Sequence, residues 1–294
     1  MRILVTGGTG FIGKKLVSAL QGQGHEVVLL TRRDVPASGF PLPSEMLTGI
    51  EAIINMAGES IAGSRWTDVY KQKIRGSRIP LTRSLVDACL DLAAKGKEPP
   101  KTLISFSAVG YYGTHPSEDF TEQSRAGNSW LSQVAKDWEQ EASRVRQAGV
   151  RLVLLRLGVV LGPGGFLERL ASPFRFFVGG PAGSGRQWIS WIHRDDVVAV
   201  IIKALTDSAM QGSYNVTAPK PATMDEMASA LGIALRRPSW LRVPALPLRL
   251  LFGEMANELI LQGQRALPER LQQMHYLFRQ PDLQQAVMKS FEKE

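Results

Sequence analysis

A chain of 294 residues that is 44% hydrophobic and 21% charged can bury a sizeable core, and no polar or low-complexity block marks it as disordered. Its formal net charge of +8 comes from scattered lysines and arginines without a helix-turn-helix, finger or RNA-binding signature, so no nucleic-acid partner is expected and an anionic small molecule is. Glycines interrupt the opening residues and no stretch approaches the roughly 20 apolar residues that span a bilayer, so a cytoplasmic protein without a membrane partner, monomeric or homodimeric, is expected.

In chain order, Arg2 to Thr6 (RILVT) reads as a buried strand, a cluster of glycines follows, and Phe11 to Gln23 reads as a helix with Phe11, Ile12, Leu16, Val17 and Leu20 on its apolar side. Gly24 can end that helix, and Glu26 to Leu30 (EVVLL) supplies a second strand. Strand, turn, helix and strand are therefore complete within about 30 residues. Further strand candidates are Ala52 to Met56, Thr102 to Ser107 and Val150 to Arg156, none with strict polar alternation, and helical patterns lie between them. One helix is expected from about Ile74 to Ala94, kinked or restarted at Pro80, with Leu81, Leu85, Cys89 and Leu92 on one face; another runs from about Ser129 to Arg146. Cys89, the single cysteine, reads as a small core residue.

Continuously apolar strands alternating with helices predict an α/β fold, a Rossmann-type doubly wound parallel sheet with a smaller, mainly helical C-terminal substrate lobe. Residues 1–218 are expected to form the dinucleotide-binding core, with loops 159–195 contributing to the substrate lobe, and residues 219–294 the lobe itself. Asp196 to Leu205 reads as an apolar helix, and Thr223 with Glu226 has the spacing of a capping box. From about Val243 the chain reads as helices carrying Leu248, Leu251 and Leu259.

Gly7, Gly10 and Gly13 stand at the GxxGxxG spacing directly between strand and helix. In that position the first glycine permits a tight turn, the second lets backbone N–H groups approach a pyrophosphate, and the third lets helix pack on strand. Gly7, Thr9, Gly10, Phe11, Ile12 and Gly13 are accordingly the candidate pyrophosphate cradle at a helix N-terminus. Where NAD-preferring proteins carry an acid at the end of the second strand, this chain has Thr31, Arg32 and Arg33. Guanidinium groups suit a 2′-phosphate, so NADP(H) is favoured over NAD(H); the competing reading is two solvated arginines, with Asp34 as a late acid.

With that loop, the segments NMAG (Asn55 to Gly58) and SFSAVGYYG (Ser105 to Gly113) resemble the extended short-chain dehydrogenase/reductase superfamily. The runs GESIAGSRW (Gly58 to Trp66), GSGRQWISWIHRDD (Gly183 to Asp196) and GQRALPERL (Gly263 to Leu271) are similar to its atypical "epimerase family" branch, some of whose members carry the label of cell-division inhibitor. The resemblance implies NADP(H) binding, adds Met56, Ala57 and Gly58 to the cofactor-binding residues, and implies a small-molecule substrate, carbonyl or sugar-nucleotide-like.

That superfamily pairs a tyrosine acid or base with a lysine four residues on, beside a substrate-positioning serine. Here Lys136 is preceded at that distance by Ser132, and alignment on Glu139 puts Leu131 and Ala135 at the two positions, so neither register contains the tyrosine. Ser107 matches the serine, and Tyr111 on the following loop is the candidate replacement acid; Ser107, Tyr111 and Lys136 form the candidate catalytic set. Arg65, Trp66, Tyr112, Trp188 and His193 are candidate substrate contacts on loops. Asp195 and Asp196 read as helix caps, and no metal site is expected. An NADP(H)-dependent oxidoreductase or epimerase-like enzyme is the leading expectation, and a non-catalytic NADP(H)-binding sensor or regulator the alternative.

Overall fold

The computed structural model describes residues 1–31, 33, 34 and 41–292. The apolar runs form six parallel strands: β1 (Arg2–Thr6), β2 (Glu26–Leu30), β3 (Ala52–Asn55), β4 (Thr102–Ala108), β5 (Arg151–Leu157) and β6 (Gly212–Val216). Their order across the sheet is β6-β5-β4-β3-β1-β2. Chain order therefore reverses between β1 and β3, and a crevice opens outside their C-terminal ends, the place where open α/β sheets bind ligands.

Both faces of the sheet are covered because successive residues of a strand point to opposite sides. Ile3 and Val5 of β1 join the cluster under α1 (Gly13–Gly22), while Leu4 between them joins the cluster on the other face. On that second face lies α3 (Ile79–Ala94), which restarts one residue before Pro80; α2 (Asp68–Gly76) is a separate helix whose buried Ile74 packs with Trp66 and Met255. A proline near a helix start costs nothing in hydrogen bonds, since its missing N–H belongs to the unpaired first turn. Leu85, Cys89 and Leu92 of α3 are buried, and burial pushes the Cys89 thiol up to about 12, consistent with a packing residue. Helix α4 (Trp130–Ser143) completes this layer, its first turn capped by the Ser129 hydroxyl, which accepts from the Ser132 N–H.

Helix α6 (Arg194–Thr206) covers the α1 face, contributing Val197, Val200 and Ile201 to its core. Its N-cap is His193, whose Nδ1 accepts from the Asp195 N–H at 3.2 Å; the aspartates expected as caps lie instead in the first turn. Asp196 accepts from the backbone N–H groups of Arg279 at 2.7 Å and Gln280 at 3.0 Å, and from the Tyr276 hydroxyl at 3.2 Å. Its carboxylate thus ties the C-terminal segment to the core.

The remaining elements build a lobe over one end of the sheet. α5 (Gly165–Arg175) packs on α7 (Met224–Leu235), and Leu167, Ala171 and Phe174 of the former share a core with Met227, Ala228 and Leu231 of the latter and with Ala286 and Val287 near the C-terminus. The capping box of α7 forms as the sequence spells it: Thr223 accepts from the Glu226 N–H while the Glu226 carboxylate accepts from the Thr223 N–H at 2.7 Å. α8 (Ala245–Phe252) lies against this lobe without a fully buried residue. No helix among the described residues is long and apolar enough to cross a membrane.

Candidate functional site

At the switch point the glycine loop, the end of β2 and the turn after β3 enclose a cleft of about 1070 Å³. Gly7, Thr9, Gly10, Phe11, Ile12, Gly13, Thr31, Arg33, Met56, Ala57 and Gly58 all line it; Arg32 lies outside the described residues. Gly7 has φ +72°, and a Cβ there would lie 3.0 Å from the Ala57 nitrogen. Any side chain at Gly13 would drive a Cβ into the carbonyl oxygen of Gly7, so helix and turn meet through backbone alone.

A polar plug fixes the opposite wall. The Thr6 hydroxyl at the end of β1 donates to Asn55 Oδ1 at 2.8 Å and accepts from the N–H groups of Met56 and Ala57, both at 3.1 Å. Asn55 Nδ2 in turn donates to the Thr82 hydroxyl at 2.7 Å, which also receives Trp138 Nε1 at 2.9 Å. The first turn of α1 contains no acid and Lys14 follows Gly13, so the positive helix end is reinforced; Lys15 beside it is paired with Asp195. A backbone cradle without room for Cβ atoms, beside a helix N-terminus of this charge, fits the pyrophosphate of a dinucleotide.

Arg33 is exposed at the cleft wall. Asp34 turns away from the role of a ribose acid: its carboxylate accepts from the Thr31 N–H at 2.7 Å and from the Thr31 hydroxyl at 2.6 Å, and these bonds hold it below the usual carboxylate range. Arg78, unremarked in the sequence, is mostly buried beneath the cleft floor. It donates to the carbonyls of Glu59 at 2.8 Å and Ile74 at 2.9 Å, its guanidinium close under Gly58, and burial lowers it to about 10.

Beyond the cleft, β4 and β5 run in register with Ser107 opposite Arg156, and α4 lays Glu139 over both. The Ser107 hydroxyl donates to Glu139 Oε1 at 2.6 Å, and Arg156 reaches the same carboxylate through Nε and Nη2, each at 2.8 Å. All three are buried. Burial by itself lowers the Arg156 guanidinium, yet the hydrogen bonds and charge of Glu139 more than offset it and its net shift is upward. Arg156 Nη1 also donates to the Tyr112 hydroxyl at 2.9 Å, which donates onward to Asn215 at 2.7 Å, and burial pushes Tyr112 up to about 12. The guanidinium stacks on the Tyr111 ring, 3.7 Å from its centroid.

The other sequence candidates are dispersed. Lys136 is exposed on α4 and lines neither this cluster nor the cleft, whereas Ala135 beside it is buried. Arg65 is exposed; Trp66 is buried, donating to the Ile61 carbonyl at 2.7 Å and packing edge-on to Trp130 at 5.0 Å. Trp188 donates to the Pro116 carbonyl at 3.1 Å, with the Arg265 guanidinium over its ring. His193 is buried in its cap, held down to about 4 first by burial, against the opposing pull of Asp195. No group of three or more His, Cys, Asp or Glu residues among the described residues is arranged to hold a metal ion.

Residues 3–217 match the NAD dependent epimerase/dehydratase family, and residues 243–289 match a domain of unknown function, DUF1731. The chain belongs to the NAD dependent epimerase/dehydratase family. It is 41% identical to the chloroplastic epimerase family protein SDR39U1 homolog of Arabidopsis thaliana, covering 95% of this chain and 83% of that one. The crystal structure of the human epimerase family protein SDR39U1 with NADPH superposes with a TM-score of 0.87 at 34% identity over 99% of both chains. A nucleoside-diphosphate sugar epimerase from Corynebacterium glutamicum gives a TM-score of 0.79 at 30% identity over 99% of this chain and 58% of its own. The fold is thus that of the NAD(P)-dependent epimerases and short-chain dehydrogenases, and a nicotinamide cofactor belongs with it.

Proposed function

We propose that this family member is an NADP(H)-dependent oxidoreductase, or an epimerase-like enzyme using the same hydride chemistry, acting on a small carbonyl or alcohol. The observation that carries a catalytic reading is the state of four hydroxyls near the end of β4. Ser107 is bound to Glu139, Tyr112 to Asn215 and Arg156, and Ser132 donates to the Gly110 carbonyl at 2.9 Å. Tyr111 is half-buried, and among the described residues its hydroxyl has no hydrogen-bond partner. Of the four it is the one hydroxyl left unengaged, and this reading gives it the substrate oxygen, although its ring packs with Tyr112 and Arg156 outside the cleft lining.

When bound, the nicotinamide supplies or accepts the hydride. Tyr111 gives its proton to the substrate carbonyl oxygen as the carbon gains hydride, and takes it back in the reverse direction. Arg156, stacked on its ring and anchored by Glu139, fixes the orientation of that phenol. The Gly7–Gly13 loop and the Met56–Gly58 turn hold the cofactor, and Arg33 favours a 2′-phosphate over a bare ribose, in keeping with the engagement of Asp34 by Thr31.

The test is NADPH oxidation against a broad carbonyl panel. Tyr111→Phe is expected to lower kcat by about a hundredfold, within the range general acid catalysis contributes, with NADPH affinity unchanged. Arg33→Ser is expected to weaken NADPH by about tenfold and leave NADH untouched, as for loss of one charge-assisted contact. The binding-only reading is favoured by the absence of the superfamily's tyrosine in either register, with Ser132 before Lys136 or with Leu131 and Ala135 at the two positions. It prevails if NADPH binds tightly and no substrate in the panel changes nicotinamide absorbance.

A further inference from the structure

A second cavity, of about 270 Å³, lies inside the C-terminal lobe between α5, α7 and α8. Its walls are Phe166 and Leu170 of α5, Met227, Ala228 and Leu231 of α7, and Leu248 of α8, together with other apolar groups. The one charged side chain among its lining residues, Arg169, spends a guanidinium N–H on the Ala62 carbonyl. A cavity of roughly 150 Å³ lined by Leu, Ile and Phe stays dry and takes up benzene, so this chamber suits a hydrocarbon larger than that.

Two short stretches of chain link the chamber to the cofactor cleft. Phe11 of the cleft packs at the start of α5, where a Cβ on Gly165 would lie 3.5 Å from its ring, and the next residue, Phe166, walls the chamber. Gly58 on the cleft floor is followed four residues later by Ala62 in the chamber wall, a distance of at most about 14 Å even along an extended chain. On the outside, Phe176, Leu250 and Leu251 are 75%, 70% and 64% exposed on the segments that bound the chamber, an apolar approach from solvent.

We propose that the chamber holds the hydrocarbon tail of the substrate, whose carbonyl or alcohol end is presented to the cofactor cleft; this rests on the oxidoreductase reading above and names the substrate class for it. A sugar nucleotide is the wrong occupant. Its hydroxyls, base edges and phosphates would leave water for a wall that offers them no donors beyond Arg169, and each unmade hydrogen bond weakens binding roughly tenfold. A hydrocarbon tail gains from the same wall, with affinity rising about fourfold for each methylene buried.

The experiment measures binding of a series of methyl ketones, from methyl butyl to methyl undecyl, to the full chain loaded with NADPH, with UDP-glucuronic acid as the polar probe. The dissociation constant is expected to fall about fourfold per methylene until the chamber is full and then level off. Ala228→Trp, which fills the chamber from α7, is expected to abolish that dependence while NADPH affinity stays within about twofold. Met227→Ala enlarges the chamber and is expected to move the levelling-off point to longer chains, a shift that loss of stability does not produce. Binding independent of chain length, no ketone binding at all, or UDP-glucuronic acid competing at lower concentration than methyl octyl ketone overturns the proposal. Chain-length-dependent binding without NADPH oxidation leaves the chamber assignment standing and overturns the hydride-transfer reading; turnover of UDP-glucuronic acid by the chain loaded with NADP+ instead, without ketone binding, does the reverse.

Discussion

The cofactor cleft and the polar cluster of Ser107, Glu139 and Arg156 lie at the C-terminal edge of one sheet and are built by different physics. The cleft is made largely of backbone: its glycine turn and helix terminus come from the consecutive residues Gly7–Gly13, and the turn after β3 adds loop amides. The cluster is made of side chains from β4, α4 and β5, whose members are up to 49 residues apart and meet only when two strands align and a helix covers them. A backbone site tolerates changes in side chains and fails when a Cβ is added; a side-chain site fails when one charge loses its partner.

The largest expected effect breaks the cluster. Glu139→Ala leaves the buried Arg156 guanidinium without its carboxylate and is expected to cost about 3–5 kcal/mol in urea unfolding, whereas replacing both partners with apolar residues of similar volume should cost much less. If the single and double replacements cost the same, the ion pair is not what holds these elements together.

A second test uses the seam between core and lobe. His193 is held neutral at about 4 against an ordinary 6.5, with Asp195 and the cations Lys15, Lys289 and Arg194 facing it. Below its ordinary value the unfolded chain takes up a proton that the folded chain refuses, so stability is full above about pH 6.5 and is lost as pH falls towards about 4, by as much as ~3 kcal/mol. Asp195 adds nothing to this window: burial tends to raise it, but Lys15 and Lys289 hold it at about 2, so its contribution is present above 3.8 and is lost only as pH falls through about 2. His193→Asn keeps a capping acceptor and removes this titration, and the fall in stability measured across that range should then be much shallower, with the raised Asp196 and Glu122 carboxyls still titrating near its lower end. An unchanged slope would assign the dependence to another group.

The third test sharpens the contrast from the cleft side. Gly13→Val forces a side chain against the Gly7 carbonyl and is expected to weaken NADPH by about a hundredfold, measured by nucleotide fluorescence, a loss of ~2.7 kcal/mol. Ala228→Trp in the far lobe is expected to leave that affinity alone. Equal losses in both variants would mean that cleft and lobe form one cooperative unit.

How much was legible follows the same division. The βαβ unit, the parallel sheet, the restart near Pro80 and the capping box of α7 were all readable, because each rests on residues within a few positions of one another and on a fixed period. Of the groups meeting at the end of β4, the family resemblance and the loop after it point to Ser107, Tyr111 and Tyr112 but not to Glu139 or Arg156. One signal was present: Arg156 interrupts a continuously apolar strand run and Glu139 sits on a helix face otherwise given to Ala135 and Trp138, and charges so placed are seldom buried unless paired. Asp195 and Asp196 have the composition of caps, but a histidine acceptor caps α6, and Asp196 serves backbone N–H groups more than 80 residues away.

The sequence by itself determined a turn shaped to fit a pyrophosphate, since glycines at three spaced positions between strand and helix are written locally and need no partner to be recognised. Only the tertiary structure decided what surrounds the other end of the cleft. Which hydroxyls are already engaged, which arginine meets which carboxylate, and whether the lobe encloses a polar or an apolar space depend on side chains brought together from distant segments. Their pairing is set by strand register and helix packing, and no spacing along the chain encodes it.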